Sequence, residues 1–347
     1  MSTHKRLVIP GPVEVREEIL QAQTQWMIGH RSTAFADLYA RMQTKLKHMF
    51  QTEGRVILLG SSGTGLWEAA SRNCIRDDKP VLHLIGGAFS ERWAEISKAN
   101  GKQVDTVEVE WGQAHTPERV AEALSKKAYD AVCVVHNETS TGVTSPIKAI
   151  GEIVRQYDDT LFLVDTVSGF LGAELRVDDW GIDFALTRLA EGVRSAAGHG
   201  VRVGQPTCPR PRQAGAVPRL LLRPDRDRQE RRQEQHAVNP ARQFDVRRRQ
   251  AVGRHHGGRA GDRWARHLTL REMTHQWADS RGFGVYADRA HASPTVTTVD
   301  NRTKQIDVDA MAKFMAGKNF SMDKGYGKIK GATFRIAHMG DMRGRYA

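Results

Sequence analysis

The segment Leu161–Gly172, LFLVDTVSGFLG, decides how the rest of the chain is interpreted. Four apolar residues lead directly into Asp165, and a turn rich in threonine, serine and glycine follows. A continuous apolar run of this length between turn signals is typical of a central strand buried on both faces. Ligands of open α/β sheets bind at the carboxyl ends of strands, where a carboxylate usually faces a cation. We therefore expect Asp165 to face a cationic group, for which a protonated pyridine nitrogen is suitable. A solvated aspartate that opens a loop is the alternative.

Strands and helices alternate regularly along the first half of the chain. The predicted strands cover 56–59, 81–85, 104–109, 131–135 and 161–164. The predicted helices cover 14–26, 35–50, 66–70, 117–126 and 146–157. Further on, the pattern predicts helices at 264–279 and 306–314 and strands at 295–299 and 333–338. This alternation favours a mainly parallel, doubly wound α/β sheet.

Four strand ends in this series carry groups suited to a small ligand. The turn at 60–65, GSSGTG, joins a strand to a helix and exposes backbone N–H groups that bind phosphate. It is not a Walker loop, because no Gly-Lys-Ser/Thr follows. Phe89 follows the second strand, where its ring can cover a flat ligand or pack in the core. Hydroxyl and amide groups crowd His136–Gly142, and Asp165 ends the series.

Three basic residues outside this series are candidates for binding an anion. Arg335 is the single charge on the strand 333–338 and is able to clamp a carboxylate bidentately. An ordinary surface salt bridge is the alternative. His30 and Arg31 lie in a polar loop, where they either reach an anionic ligand or are simply solvated.

The composition indicates a soluble, cytoplasmic protein. With 347 residues, the chain is long enough for one large domain and a smaller one. Its three cysteines, Cys74, Cys133 and Cys208, have neither metal-ligand nor disulfide spacing, so we expect no metal and a reducing compartment. No apolar run is long enough to span a membrane, and the first residues lack the apolar core of a signal peptide.

Most of the net charge of +12 comes from one stretch. Residues 188–262 contain 17 arginines, 7 acidic residues and no lysine, and so contribute +10 of that charge. The abrupt change predicts an N-terminal arm over 1–13, the first part of a large domain over 14–187, an aberrant segment over 188–262 and a small, truncated C-terminal domain over 263–347. Taken at face value, the basic segment is a polyanion-binding arm. No base-reading fold or aromatic platform accompanies it, which argues against nucleic acid as the partner.

As a set, these features resemble the class V aminotransferases of the fold-type I pyridoxal-phosphate enzymes, in the alanine–glyoxylate, serine–pyruvate and serine–glyoxylate branch. The resemblance covers 7–187 and 264 to about 342. The motifs that carry it are Pro10-Gly11-Pro12, Gly29-His30-Arg31, Ser62-Gly63-Thr64, Phe89 with Glu91-Arg92, His136-Asn137-Glu138-Thr139-Ser140-Thr141-Gly142, Val164-Asp165 and Phe334-Arg335-Ile336.

The resemblance implies transamination between serine or alanine and glyoxylate or pyruvate, with pyridoxal 5′-phosphate as the cofactor. It also implies a homodimer with sites at the interface, and a small C-terminal α/β domain beside the large parallel-sheet domain. Cysteine desulfurase and aminoethylphosphonate transaminase are alternatives within the same superfamily. The absence of a dedicated catalytic-cysteine loop weakens the first of them.

The resemblance further assigns residues around the cofactor. Ser62, Gly63 and Thr64 would hold its phosphate. Phe89 would stack on one face of the pyridine ring, and Val167 would pack on the other.

It also assigns the polar contacts of the ring and of the substrate. Thr139 would hydrogen-bond the ring oxygen, and Asp165 would pair with the pyridinium nitrogen. Arg335 would bind the carboxylate of the amino acid, with His30 and Arg31 as further substrate-binding candidates.

The Schiff-base lysine implied by the resemblance is missing. The family places Ser-Gln-Lys or a similar triplet directly after a strand such as Asp183–Thr187, and this lysine bonds to the cofactor. Here Arg188 follows the strand, and the lysine is expected at about Glu191/Gly192. A relative that lacks the lysine and binds the cofactor without turnover is therefore a further alternative.

A frame-shifted translation over 188–262 explains both the missing lysine and the arginine excess. Read one base later, codons for Leu189–Arg194 permit Ser-Gln-Lys-Ala-Phe, with the lysine codon across Glu191 and Gly192. At the same offset, 218–224 permits Arg-Gly-Tyr-Tyr-Phe-Asp and 235–242 permits Ser-Thr-Pro-Ser-Thr-Pro-Pro. We therefore predict that the gene encodes the lysine, and that the ending at 342–347 reflects a second slip.

Overall fold

A computed structural model describes residues 4–188, the backbone of 200–204, residues 260–340 and residue 342. Its strands are β1 Arg6–Leu7, β2 Arg55–Leu59, β3 Pro80–Ile85, β4 Gln103–Glu108, β5 Ala131–Val135, β6 Asn137–Glu138, β7 Val143–Thr144, β8 Leu161–Asp165, β9 Phe184–Arg188, β10 Gly200–Gly204, β11 Gly284–Val285, β12 Val296–Asp300, β13 Phe320–Ser321 and β14 Thr333–Ala337. Its α-helices are α1 Glu17–Gln21, α2 Thr33–Phe50, α3 Gly63–Cys74, α4 Ala88–Ala99, α5 Pro117–Lys126, α6 Ile147–Val154, α7 Ala260–Ser280 and α8 Val308–Gly317.

A seven-stranded sheet forms the centre of the molecule, in the order β2-β10-β9-β8-β5-β3-β4. The five strands from β9 to β4 are paired in parallel, whereas β10 is antiparallel to both its neighbours. Every residue of β5 is buried, as are the last four of β8. Such strands read as continuous apolar runs because helices cover both faces of a parallel sheet. The predicted mainly parallel α/β fold is confirmed.

Helix α3 begins earlier and ends later than the predicted 66–70. The hydroxyl of Ser62 accepts a hydrogen bond from the Gly65 N–H, so Ser62 caps the helix and Gly63 becomes its first residue. The prediction of a helix over 14–26 is wrong in its extent. Helix α1 stops at Gln21, and a single 3₁₀ turn over Ala22–Thr24 follows. Only two residues of this short stretch are buried, so there is little packing to extend the helix.

The C-terminal part has a three-stranded antiparallel sheet, β11-β12-β14. The N-terminal arm joins it, because β1 pairs in parallel with β13. Val13 also packs against Val296, Ala337 and Met339. The four-segment division of the chain stays a prediction. Apart from Arg188, the backbone of 200–204 and residues 260–262, the aberrant segment lies outside the described residues. None of the helices described is long and apolar enough to cross a membrane.

Candidate active site

Asp165 is the last residue of β8 and is 3% exposed. One carboxylate oxygen accepts the Val167 N–H at 2.7 Å, and the other accepts the Trp67 Nε1–H at 2.6 Å. Burial raises the pKa of Asp165 to about 7, although both hydrogen bonds lower it; the negative charge of Glu138 raises it further. No ion pair in the described parts of the chain includes Asp165. A buried carboxylate with no counter-ion among the described residues is a suitable partner for a protonated ring nitrogen. The surroundings of Asp165 therefore fit the expected cofactor.

The turn before α3 lies beside Asp165. A Cβ atom built on Gly63 would be 3.7 Å from the Cγ2 of Val167, two residues after the carboxylate. A Cβ on Gly65 would lie 2.1 Å from the Ser61 Oγ, so a larger residue there would require the Ser61 hydroxyl to rotate away. Because α3 has twelve residues, the partial positive charge at its N-terminus favours an anion. The structure thus brings the predicted phosphate turn, Val167 and Asp165 together.

Phe89 lies in the first turn of α4, and Glu138 fixes that turn. The buried carboxylate of Glu138 accepts hydrogen bonds from the backbone N–H groups of Phe89 (3.3 Å) and Ser90 (3.0 Å). It also accepts the hydroxyls of Ser90 at 3.0 Å and Ser140 at 2.6 Å. The Phe89 ring stacks on Tyr326, with centroids 5.1 Å apart and planes 9° apart. An aromatic ring therefore lies near this strand end, and the stacking of Phe89 on a cofactor ring stays a prediction.

Thr139 is buried between the strand tips and the C-terminal part. Its hydroxyl donates to the Ser168 Oγ at 2.6 Å, and Ser168 donates to the Asn137 carbonyl at 2.8 Å. In this arrangement the hydroxyl proton of Thr139 is engaged in the hydrogen bond to Ser168, although the hydroxyl oxygen can still accept a hydrogen bond. The role of Thr139 toward a cofactor oxygen stays a prediction.

Arg335 forms a buried ion pair, rather than the surface salt bridge considered from the sequence. Its Nε and Nη2 donate to the two carboxylate oxygens of Asp323, each at 2.7 Å, and its Nη1 donates to the Thr139 carbonyl at 3.0 Å. The guanidinium carbon lies 5.2 Å from the Tyr326 ring centroid. These bonds use three of the five guanidinium donors, so two remain for a substrate carboxylate. Carboxylate binding by Arg335 stays a prediction.

His30 and Arg31 lie just before α2. His30 is half-buried and Arg31 is exposed. The hydrogen bonds given above for Asp165, Thr139 and Arg335 involve neither of them, so their part in the site also stays a prediction. The expected lysine position, Glu191/Gly192, is outside the described residues.

Four residues to which the sequence motifs give no role also lie in this site. They are Trp67, Ser168, Asp323 and Tyr326. Trp67 is four residues after Gly63, little more than one helical turn into α3, which is a weak local signal. The pairing of Asp323 with Arg335 depends on the path of the loop between β13 and β14, for which local sequence gives no signal.

The chain is similar in sequence to several known proteins. Residues 15–188 match the sequence model of the family described as aminotransferase class-V. An uncharacterized aminotransferase of Methanocaldococcus jannaschii is 44% identical over 186 residues, which are 53% of this chain and 48% of that protein. The serine–glyoxylate aminotransferase of Methylorubrum extorquens is 30% identical over 356 residues, covering 97% of this chain and 86% of that protein. The chain thus spans about half of the first relative and most of the second.

The crystal structure of alanine–glyoxylate aminotransferase from Nostoc sp. shares the fold. Its TM-score is 0.88 at 24% identity, over 98% of this chain and 91% of the other. The matches favour an enzyme over the polyanion-binding interpretation of the basic segment.

Proposed function

Because the chain belongs to the class-V aminotransferase family, we propose that it is built for pyridoxal-phosphate-dependent transamination between serine or alanine and glyoxylate or pyruvate. The observation that carries this proposal is Asp165, a buried carboxylate at the end of a central strand with no ion-pair partner in the described residues. The serine–glyoxylate activity in the name of a relative that matches along most of its length supports the choice of substrates.

The bound cofactor would supply a protonated ring that withdraws electrons from the substrate Cα. Asp165 would keep the proton on the ring nitrogen. Thr139 would contact the ring oxygen once its hydroxyl turns away from Ser168. Val167 and Phe89 would pack on the two ring faces and exclude water from them.

The cofactor phosphate and the substrate carboxylate would bind to two different regions of positive charge. Ser62, Gly63 and Thr64 would hold the phosphate at the N-terminus of α3. Arg335 would bind the carboxylate through the two donors that Asp323 and the Thr139 carbonyl leave. His30 and Arg31 would be further contacts for the substrate.

The Schiff-base lysine would come from the shifted reading frame. The family match ends at Arg188, the residue where the composition changes. Residues 188–262 would then stand in place of the rest of the large domain, and the chain as written would bind cofactor without forming a covalent bond to it.

The active unit would be a cytoplasmic homodimer. Leu20, Trp26 and Met27 are 45%, 93% and 59% exposed, and we propose that these large apolar side chains, which are close in sequence, contribute to the dimer interface. Cys74 and Cys133 are buried free thiols, in keeping with a reducing compartment.

The test compares two proteins: the chain as written, and the chain in which 188 to about 262 is translated one base later while the residues on either side keep the given frame. We expect the second to transaminate serine with glyoxylate and to give a borohydride-stable adduct on the lysine just after Thr187. We expect the first to bind pyridoxamine 5′-phosphate and to give no such adduct.

Two outcomes would contradict the proposal. Independent DNA reads that give Arg188 onward as written in an intact frame would leave the lysine-less relative as the better interpretation. DNA binding with a steep salt dependence, lost on deletion of 188–262, together with no cofactor binding, would favour the polyanion-binding arm.

Substitutions in the slip-corrected enzyme would separate the two proposed roles. Asp165→Ala should weaken cofactor binding and lower kcat by orders of magnitude, because an unprotonated ring is a poor electron sink. Arg335→Ala should mainly raise KM for the amino acid. Identical behaviour of the two variants would show that the roles are assigned wrongly.

A further inference from the structure

Trp67 is the side-chain hydrogen-bond donor that reaches Asp165. The indole Nε1–H lies 2.6 Å from one carboxylate oxygen, while the backbone N–H of Val167 occupies the other. Each oxygen therefore has one donor and retains capacity to accept another. Val167 donates from its backbone and would do so with any side chain, so Trp67 is the contact that depends on residue identity.

The packing around Trp67 holds this donor in one position. Its ring stacks on Trp93 with centroids 6.2 Å apart and planes 14° apart, and both rings are buried in one apolar cluster. Trp93 in turn meets the edge of His83 at 5.6 Å. The Nε1 of Trp93 is buried without a hydrogen-bond partner in the described residues. Two stacked indoles thus differ in one respect: only that of Trp67 donates to a carboxylate.

We propose that Trp67 is a positioning residue that orients the Asp165 carboxylate and keeps it negatively charged toward the ring nitrogen of the cofactor. This proposal rests on the proposed function and adds a residue to it. A hydrogen bond from a neutral donor to a buried carboxylate stabilises the charged form and not the protonated one. Without it, Asp165 would rotate more freely and take up a proton at higher pH.

Other charged or titratable groups near Asp165 do not replace this donor. Glu138, which follows the neighbouring strand β5, carries negative charge and favours protonation of Asp165. His136, two residues before Glu138, donates its backbone N–H to the Asp165 carbonyl. Burial lowers the pKa of His136 to about 4, so its ring is neutral near pH 7 and offers no cation.

The experiment measures binding of pyridoxamine 5′-phosphate to the full chain by calorimetry, from about pH 5 to about pH 9, a range that brackets the Asp165 titration. This probe forms no bond to a lysine, so the chain as written serves. Trp67→Phe removes the donor and keeps an aromatic ring. Trp93→Phe is the matched control, because it removes the same atoms from the same cluster and loses no hydrogen bond in the described residues.

We expect Trp67→Phe to weaken binding about tenfold or more near pH 7, and to move the loss of binding at low pH upward by about one unit. Trp93→Phe should stay within about twofold of the unaltered chain, with the same midpoint. If both variants change affinity equally and leave the midpoint in place, Trp67 is only a packing residue and the proposal is overturned. If the unaltered chain binds no pyridoxamine phosphate at all, the proposed function fails with it.

A second measurement uses the unaltered chain and does not depend on the folding of a variant. The indole N–H proton resonance of Trp67 should shift with pH at the midpoint of Asp165, and again on addition of pyridoxamine phosphate. The Trp93 resonance should do neither. An indole spectrum that is independent of pH across this range would overturn the proposal.

Discussion

At the scale of single residues, a buried carboxylate with no ion-pair partner in the described part of the chain makes the cofactor-free protein sensitive to pH. The pKa of Asp165 is raised to about 7 in the folded chain from 3.8, mainly by burial. Between these values the folded chain holds a proton that the unfolded chain has lost. Asp165 therefore contributes stability that is complete below its unfolded pKa and is lost as the pH rises through 7.

We predict a pH-dependent difference between the cofactor-free chain and its Asp165→Asn variant. The free energy of unfolding of the unaltered chain, relative to the variant, should rise by about 3 kcal/mol from pH 8 to pH 5. Urea denaturation at several pH values measures it. Taking the difference cancels the buried histidines, whose lowered pKa values act in the opposite direction. A difference that does not change with pH would mean that Asp165 is ionised throughout.

The ion pair of Arg335 leads to a second prediction at this scale. Asp323→Asn would leave a buried guanidinium without its carboxylate, so the chain should lose about 2 to 4 kcal/mol of stability in denaturant unfolding. Asp309→Asn is the control, because Asp309 forms an ion pair with Lys324 that is largely exposed and should contribute nothing measurable. Equal effects of the two substitutions would contradict the assignment of Asp323 as the partner that holds Arg335.

The sequence predicted the position of Asp165 in the fold, but not the side-chain contacts of Asp165 and Arg335. Asp165 was expected at a strand end because four apolar residues precede it, and it is the last residue of β8. Its contact with Trp67 joins two strand–helix units that are far apart in sequence, so no local pattern contains it. The contact between Arg335 and Asp323 was missed for a different reason: the two residues are close in sequence, but a charge pattern does not specify which carboxylate an arginine will pair with.

At the scale of secondary-structure elements, one carboxylate anchors the start of α4. Glu138 accepts hydrogen bonds from the first turn of that helix and from Ser140. We predict that Glu138→Gln lowers the free energy of unfolding by about 2 to 3 kcal/mol, because the new amide group places its own N–H groups against buried donors. Thermal or urea unfolding measures the loss.

The control for this substitution lies in the same helix. Glu91 is exposed in the first turn of α4, so Glu91→Gln should change stability by less than about 0.5 kcal/mol. If Glu138→Gln were equally mild, the carboxylate would not be the anchor of α4, and the position of Phe89 would need another explanation.

The bounds of an element were predicted well where the element is a continuous apolar run, and poorly where capping or packing determines the end of a helix. Strand β5 has the predicted bounds, 131–135, because five consecutive apolar residues leave no other interpretation. The predicted end of α1 was wrong because helical spacing over 14–26 does not show whether the helix has a core to pack against. The early start of α3 depends on the Ser62 cap. It was not predicted because Ser62 lies in a run of small residues that was interpreted as a turn.

At the scale of the whole molecule, the exposed apolar group at Leu20, Trp26 and Met27 leads to a prediction about assembly. Trp26→Lys should shift a dimer toward monomer in sedimentation velocity, because a charge in an apolar interface is costly to bury. Phe314→Lys is the matched control, since Phe314 is a similarly exposed aromatic residue on α8. A chain that is monomeric and binds cofactor before any substitution would contradict the homodimer.

The pairing of β1 with β13 also affects the order of folding during synthesis. The arm leaves the ribosome well before its partner strand, because Arg6 and Phe320 are far apart in sequence. The arm must therefore remain undocked while the central sheet assembles, since domains fold as units and contacts of large sequence separation form slowly. Closure of the arm onto Phe320–Ser321 would then be a late step in the folding of these residues, and it would protect the arm from proteases only after β13 has been made.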